Sequence, residues 1–354
     1  MPERNTMKKI QELQQVKGDA YDYYIAGNED TDLFEKIFLV DDIVEEICKP
    51  DKYFLIGEKG SGKTAYSVYM SKSDKINSFC SISLVENTLY QRFLNMKRQK
   101  ALELSSFKDV WINLIYLILA EKIRKEYGET FFSSIKYKQL SKAIDVFYSD
   151  AFKPEFVNAF EFVDNASASI NSMMKQGLFS TGTKASAETS QKYVEQSFQI
   201  SLLKIRDGFE KAFMSVNLKK PTILFVDGID ARPRDIDNEQ YFECLVGLVN
   251  AVLEMNQSFL KEKQIKIMLL IRPDIMYKMP VHNMNQKLRN NSVLLNWVTS
   301  YRKYIDSKLF KIADDYFMKQ QDYSYELGEC WNYYFPYKVE YQEKRKAPDN
   351  PFVE

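Results

Sequence analysis

Three of the twelve glycines in this 354-residue chain, Gly57, Gly60 and Gly62, stand within six residues and directly precede Lys63 and Thr64. Glycines at this spacing let consecutive backbone N–H groups turn around an anion, and a following lysine can reach the outer phosphates of a nucleotide. The segment follows a short apolar run and leads into a helical pattern, so a helix N-terminus would add its positive dipole end. The spacing therefore predicts a phosphate-binding loop.

This predicted loop assigns a role to each of its residues. Lys63 would contact the β- and γ-phosphates, and the Thr64 hydroxyl would ligate Mg²⁺. ATP with Mg²⁺ is thus the predicted ligand pair, and the alternative is a glycine-rich turn that binds nothing. The residues predicted to contact the nucleotide are Gly57, Gly60, Ser61, Gly62, Lys63, Thr64 and Ala65.

A carboxylate follows a second apolar run, residues 222–226, at Asp227. A carboxylate at the end of a buried strand is expected to hold the magnesium shell through water. Many ATPases of this strand arrangement place Glu next to polarise the attacking water, whereas here Gly228 follows and the next carboxylate is Asp230. Asp230 is therefore the predicted general base. The alternative is that Asp230 only shapes its loop, and that hydrolysis is slow or absent.

Arginines near these segments offer positive charge for a phosphate. Arg272 directly follows the apolar run 265–271, where it is predicted to sense a γ-phosphate, with Asp274 beside it. The alternative is that this segment only ends a strand, because Pro273 cannot continue one. Arg232 and Arg234 could act as an arginine finger. Surface salt bridges are the simpler explanation for them.

Composition and charge exclude several other functions. Lys plus Arg and Asp plus Glu each number 49, so overall charge does not indicate a nucleic-acid partner and favours a protein partner. The four cysteines are far apart and His282 is the single histidine, which argues against a zinc site and against histidine-based nucleophilic catalysis.

The longest apolar span, residues 111–120, is half as long as the ~20 residues that cross a bilayer. With no signal peptide visible, we predict a cytoplasmic protein without a membrane segment.

Apolar runs and helical spacing together predict an α/β fold. Strands are predicted over residues 53–56, 79–84, 222–226 and 265–271, and helices over residues 107–118, over 194–213 and from Asn238. Gly128 is a plausible helix stop. Alternation of strands and helices is typical of a doubly wound parallel sheet with right-handed crossovers. We therefore predict a P-loop NTPase core with a large helical insertion and a helical C-terminal part.

Four segments follow from this pattern. Residues 1–84 would hold N-terminal helices and the first part of the core, and residues 222–300 the second part. Between them, residues 85–221 are too long for a simple crossover and would form a mostly helical insertion, with a Ser/Thr-rich excursion near 167–190. Residues 301–354 would form a helical and aromatic C-terminal segment.

Three motifs together resemble a bacterial family of P-loop ATPases allied to the STAND and KAP NTPases, of the ASCE class. They are KGSGKTA at residues 59–65, FVDGID at 225–230 and LLIRPDI at 269–275, and residues 287–297 also look like that family's segment after the sensor strand. The resemblance implies that the nucleotide acts as an assembly switch, with a homo-oligomer or an effector protein as partner. Several members of that family serve in bacterial defence against phages.

Three functions are consistent with these observations. The leading hypothesis is a Mg²⁺-dependent ATPase switch with slow or partner-stimulated turnover. The second is a phosphotransferase that passes the γ-phosphoryl group to an acceptor held by the insertion. The third is a nucleotide-bound scaffold that does not hydrolyse, which Gly228 at the usual base position favours.

Overall fold

A five-stranded parallel sheet with helices makes this chain an α/β protein. The structure is a computed structural model that describes residues 7–25, 28–85, 107–132, 137–150, 202–229, 238–279, 288–297 and 304–336. The strands are β1 (Phe54–Gly57), β2 (Phe79–Leu84), β3 (Thr222–Asp227), β4 (Ile265–Ile271) and β5 (Ser292–Leu295).

The strand order across the sheet is β2-β3-β4-β1-β5. β4 pairs in parallel with β3 on one side and with β1 on the other, with Leu224 opposite Ile267 and Ile56 opposite Ile271. The four predicted strands are confirmed, with small shifts at the ends of β1 and β3. β5 was not predicted as a strand, because its four residues are too short a run to distinguish from a helix or a loop.

Most of the remaining described residues are helical. The predicted helix start at Asn238 is confirmed, and Gly128, at φ 74°, interrupts a helix whose helical residues continue to Phe132. Residues 202–215 are helical as predicted, whereas the predicted excursion at 167–190 lies outside the described residues.

No described helix has the length and apolar character needed to span a membrane. The helices are α1 (Tyr21–Ile25), α2 (Asn28–Ile37), α3 (Asp42–Cys48), α4 (Lys63–Lys72), α5 (Phe107–Phe132), α6 (Lys138–Asp150), α7 (202–215), α8 (Asn238–Asn256), α9 (Pro273–Lys278), α10 (Lys308–Met318) and α11 (Glu329–Tyr334).

The chain divides into two compact units. The sheet unit comprises Cys48–Ile56 and Ile76–Val293, and the loop unit comprises Met1–Ile47, Gly57–Lys75 and Leu294–Glu354. The described helices of residues 85–221 belong to the sheet unit, together with β2, β3 and β4.

The core of the sheet unit is continuous between the sheet and α5, α7 and α8. Trp111 in α5 is buried, and its indole N–H donates to the carbonyl oxygen of Cys244 in α8 at 3.1 Å. Gly247 allows these two helices to approach, because a Cβ there would lie 2.6 Å from the Cβ of Phe107. Close packing of this kind holds β3 and β4 in a fully buried position, as is typical of parallel strands.

In the loop unit, α4 packs against α1 and α2. The ring of Phe38 stacks on Tyr69 of α4 with 4.2 Å between centroids. Asp41 accepts a hydrogen bond from the Tyr66 hydroxyl at 2.9 Å and forms an ion pair with Lys308 at 2.7 Å. Burial, and then the charge of Asp41, raise the pKa of Tyr66, so this hydroxyl stays a donor at neutral pH.

The amino end of β4 depends on one buried side chain. Asn256, 2% exposed, donates to the Ile267 carbonyl oxygen at 2.7 Å and accepts from the Ile267 N–H at 2.8 Å. β1 pairs with β4 only from Leu269 onward, so the Asn256 amide takes the place that a neighbouring strand would fill.

We expect Asn256→Ala to destabilise the protein by about 2–5 kcal/mol, because it leaves two buried backbone groups without partners. Urea unfolding followed by circular dichroism measures the difference. The matched control is Gln257→Ala, at the exposed neighbouring position, which should change stability by less than about 0.5 kcal/mol. Equal effects of the two substitutions would contradict this role of Asn256.

Candidate functional site

The glycine-rich segment lies between β1 and α4, as predicted. β1 ends at Gly57 and α4 begins at Lys63. Gly60 and Gly62 have φ values of 79° and 89°, in the left-handed region that glycine adopts without strain. The loop turns tightly, because the Ser61 N–H donates to the Glu58 carbonyl oxygen at 3.1 Å. This confirms the strand–loop–helix arrangement that a phosphate-binding loop requires.

Gly57 is required for space. A Cβ at this position would lie 2.2 Å from the Ser61 Oγ and 3.0 Å from the Cβ of Leu295. Ser61 itself is 4% exposed, and its hydroxyl has no hydrogen-bond partner among the described residues. A buried hydroxyl without a partner is costly, so a ligand oxygen at this position would be stabilising.

Lys63 is the first residue of α4 and is only 8% exposed. Its ammonium group donates to the carbonyl oxygens of Gly57 at 2.8 Å and Glu58 at 3.2 Å. A buried ammonium group beside the N-terminus of a ten-residue helix concentrates positive charge at this loop. Thr64 and Ala65 follow in the first turn of α4 and are partly buried.

Trp297 is a loop contact that the sequence reasoning missed. Its indole N–H donates to the Ser61 carbonyl oxygen at 2.8 Å, and its ring lies 3.9 Å from where a Gly62 Cβ would be. The only signal in the sequence was its position at the end of the segment 287–297, which resembles the family segment after the sensor strand. Trp297 therefore fixes the orientation of the peptide group that precedes Gly62.

In the sheet unit, Asp227 is the last residue of β3 and is buried. Its Oδ1 accepts a hydrogen bond from the Gly228 N–H at 2.7 Å, and its carbonyl oxygen accepts from the Val85 N–H at 2.7 Å. The carboxylate is thus held at the carboxyl end of a parallel strand, where ligands of open α/β sheets bind.

Gly228 occupies a position that cannot hold a side chain without strain. Its φ is 86°, and a Cβ would lie 3.0 Å from the Val85 carbonyl oxygen. Any residue with a side chain, glutamate included, would be strained at this position. The next residue, Ile229, is buried, and its carbonyl oxygen accepts from the Tyr241 hydroxyl at 2.7 Å. Asp230, the predicted base, lies outside the described residues, as do Arg232, Arg234 and His282.

Arg272 directly follows β4, and its Nη2 donates to the Asp274 carboxylate at 2.8 Å. Its Nε is buried and has no partner among the described residues. Pro273 begins α9, so it ends the strand as well. Because β4 lies between β1 and β3, the sheet brings Arg272 and Asp227 to the same edge. Lys63 and Thr64 belong to the loop unit.

We expect Gly228→Ala to destabilise the protein by about 1–3 kcal/mol, because alanine is strained at this φ and its methyl group contacts a backbone carbonyl. Gly208→Ala is the matched control in the helical residues 202–215, where a Cβ meets nothing within 4 Å. That control should stabilise by about 0.5–1 kcal/mol through helix propensity. Thermal and urea unfolding measure both, and destabilisation by both alike would contradict the assignment.

No protein-family model, curated protein or solved structure matches this chain. The resemblance to ATPases allied to the STAND and KAP NTPases therefore stays a prediction from the three motifs.

Proposed function

We propose that this protein binds ATP with Mg²⁺ and hydrolyses it slowly, as a switch that controls assembly or a partner protein. The observation that carries the proposal is the segment 57–64, in which two left-handed glycines and a buried lysine connect a strand to a helix. This combination favours phosphate binding, since backbone N–H groups, a helix N-terminus and an ammonium group all supply positive charge.

The loop residues suit a nucleotide triphosphate. Lys63 would exchange its contacts with backbone carbonyl oxygens for the β- and γ-phosphates, with charge-assisted hydrogen bonds in place of neutral ones. The Ser61 hydroxyl, which has no partner among the described residues, would gain one. Trp297, by holding the Ser61 carbonyl oxygen, would keep the adjacent N–H groups oriented towards the ligand.

Thr64 and Asp227 are the residues proposed to hold Mg²⁺. A hydroxyl and a carboxylate are oxygen ligands, the type that this hard cation takes. The ion would neutralise charge on the phosphate oxygens. The pairing rests on the two motifs to which these residues belong, at 59–65 and 225–230.

Slow hydrolysis follows from the surroundings of Gly228. With no side chain at this position, Asp230 is the nearest following carboxylate that can accept a proton from the attacking water. The hydrogen bond from Tyr241 to Ile229 positions the backbone just before Asp230. Arg272, with one N–H free of partners in the described part of the chain, is the proposed contact for the γ-phosphate.

A scaffold that binds nucleotide without hydrolysis is the second candidate, favoured by the same geometry at Gly228. A phosphotransferase is the third possibility. The control of an effector, and a role in defence against phages, extend the proposal on the basis of the motif resemblance alone.

We expect Lys63→Ala to weaken ATP binding tenfold or more, since the loss of one charge-assisted contact costs about 1.5–3 kcal/mol. Isothermal titration with Mg²⁺–ATP measures the affinity. Lys59→Ala is the matched control, because Lys59 is an exposed lysine of the same loop and is not among the residues predicted to contact the nucleotide. Retention of wild-type affinity by a folded Lys63→Ala protein would rule out the assignment.

Incubation with γ-labelled ATP separates the three candidates. The switch releases free phosphate, the phosphotransferase labels an acceptor, and the scaffold does neither.

If Asp230 is the base, Asp230→Asn should lower the rate of phosphate release about 100-fold or more while leaving ATP affinity within about twofold. An unchanged rate would contradict the role of Asp230.

A further inference from the structure

A cavity of about 210 Å³ lies at the amino edge of the sheet, within the sheet unit. Its lining includes the first residues of β3 and β4, together with Cys48 and Lys261. Lys266, the second residue of β4, is part of this lining and is only 7% exposed. Arg272 lies six positions further along the chain, about 20 Å away at ~3.3 Å per residue, so the cavity is distinct from the position of Arg272.

The amine of Lys266 is held in a defined position. Its Nζ donates to the Lys49 carbonyl oxygen at 2.8 Å. Lys266 pairs with Ile223 of β3 in the sheet register, so its backbone is fixed by the ladder. A buried lysine on a central strand is rare, because its charge is costly to remove from water.

The surroundings of Lys266 favour the neutral amine. Burial lowers the pKa of Lys266 to about 8, although the facing thiols Cys48 and Cys80 and the carboxylate Asp51 act in the opposite direction. A larger share of Lys266 amines is therefore neutral near pH 8 than for a lysine of ordinary pKa. A neutral lysine amine is the nucleophile that forms imines with carbonyl compounds.

The charge around the cavity selects the ligand. Besides the Lys266 amine, Lys261 contributes positive charge to the lining, and the described lining includes no carboxylate. Gln264, also in the lining, has a φ of 56°, a conformation that costs free energy for a residue with a side chain. A small anionic molecule therefore fits the cavity in both size and charge.

We propose that this cavity binds small anionic aldehydes or 2-oxo acids and that Lys266 holds them as a reversible imine. The Nζ lone pair attacks the carbonyl carbon, and the carbonyl oxygen takes up a proton to give a carbinolamine. Loss of that oxygen as water leaves a protonated C=N bond, so one neutral amine, one carbonyl compound and one proton taken up from solvent yield one iminium ion and one water. The iminium keeps one N–H, which donates a hydrogen bond to the Lys49 carbonyl oxygen, as the free amine does.

Reductive trapping tests this proposal on the full-length protein. The protein is incubated with glyoxylate and cyanoborohydride, and labelled lysines are mapped by peptide mass spectrometry. We expect Lys266 to acquire a carboxymethyl group at least about tenfold faster than Lys220, an exposed lysine at the same edge of the sheet, since its neutral fraction is larger. Labelling of Lys266 no faster than Lys220, or not at all, would overturn the proposal.

The selectivity for anions has its own test. Acetaldehyde, which is neutral, replaces glyoxylate, and labelling of Lys266 is again divided by that of Lys220. The ratio should be higher with glyoxylate, and Lys261→Met should reduce this difference, whereas Lys220→Met should leave labelling of Lys266 unchanged. An equal ratio for both aldehydes would overturn the anionic class of ligand.

A separate measurement tests the neutral amine without any ligand. The folded-state pKa of about 8 lies below the unfolded value near 10.5, so the unfolded chain binds more protons between these pH values. Burial raises the pKa of the Cys80, Cys244 and Cys330 thiols, which lowers stability over the same pH range in the wild type and in Lys266→Met alike. The unfolding free energy of the wild type minus that of Lys266→Met should therefore increase from pH 8 to pH 10.5. No difference between the two pH profiles would contradict a neutral Lys266.

Discussion

The pairing of β4 on both of its sides is the constraint on which the rest of the structure depends. This strand, Ile265–Ile271, is buried at every position and lies between β3 and β1. Where β1 does not reach, the Asn256 amide completes the hydrogen bonding. Since unpaired backbone groups are costly in a buried strand, this pairing determines which other strands can be neighbours.

Each of the two proposed sites includes a residue at one end of this strand. The middle of β4 is apolar and closed to ligands, so polar side chains occur where the ladder ends. Arg272 follows the carboxyl end, at the same edge as Asp227. Lys266 stands at the amino end, beside a cavity. A parallel sheet brings strand ends of one kind to one edge, which explains why the two sets of residues are separate.

Glycine has different functions at different positions in this chain. At Gly57 a side chain would collide with Ser61, although the backbone needs no special conformation there. At Gly60 there is open space, and the left-handed φ alone requires glycine. At Gly228 both limits apply, since φ is positive and Val85 lies close. Any side chain is therefore strained at Gly228, for a conformational and a steric reason together.

Local patterns in the sequence were sufficient to predict β1 to β4, the helix after the glycines, and the helix start at Asn238, because apolar runs, turn residues and helical spacing depend on near neighbours. Neither the position of β4 between β1 and β3 nor the contact of Trp297 with Ser61 could be predicted, since they join distant residues. Lys266 interrupts an apolar run in the sequence, but only packing against β3 and Lys49 decided that its amine is buried. The sequence by itself thus determined the chemical groups and their local elements. Tertiary structure decided burial and neighbours, because hydrogen bonding and desolvation depend on segments far apart in the chain.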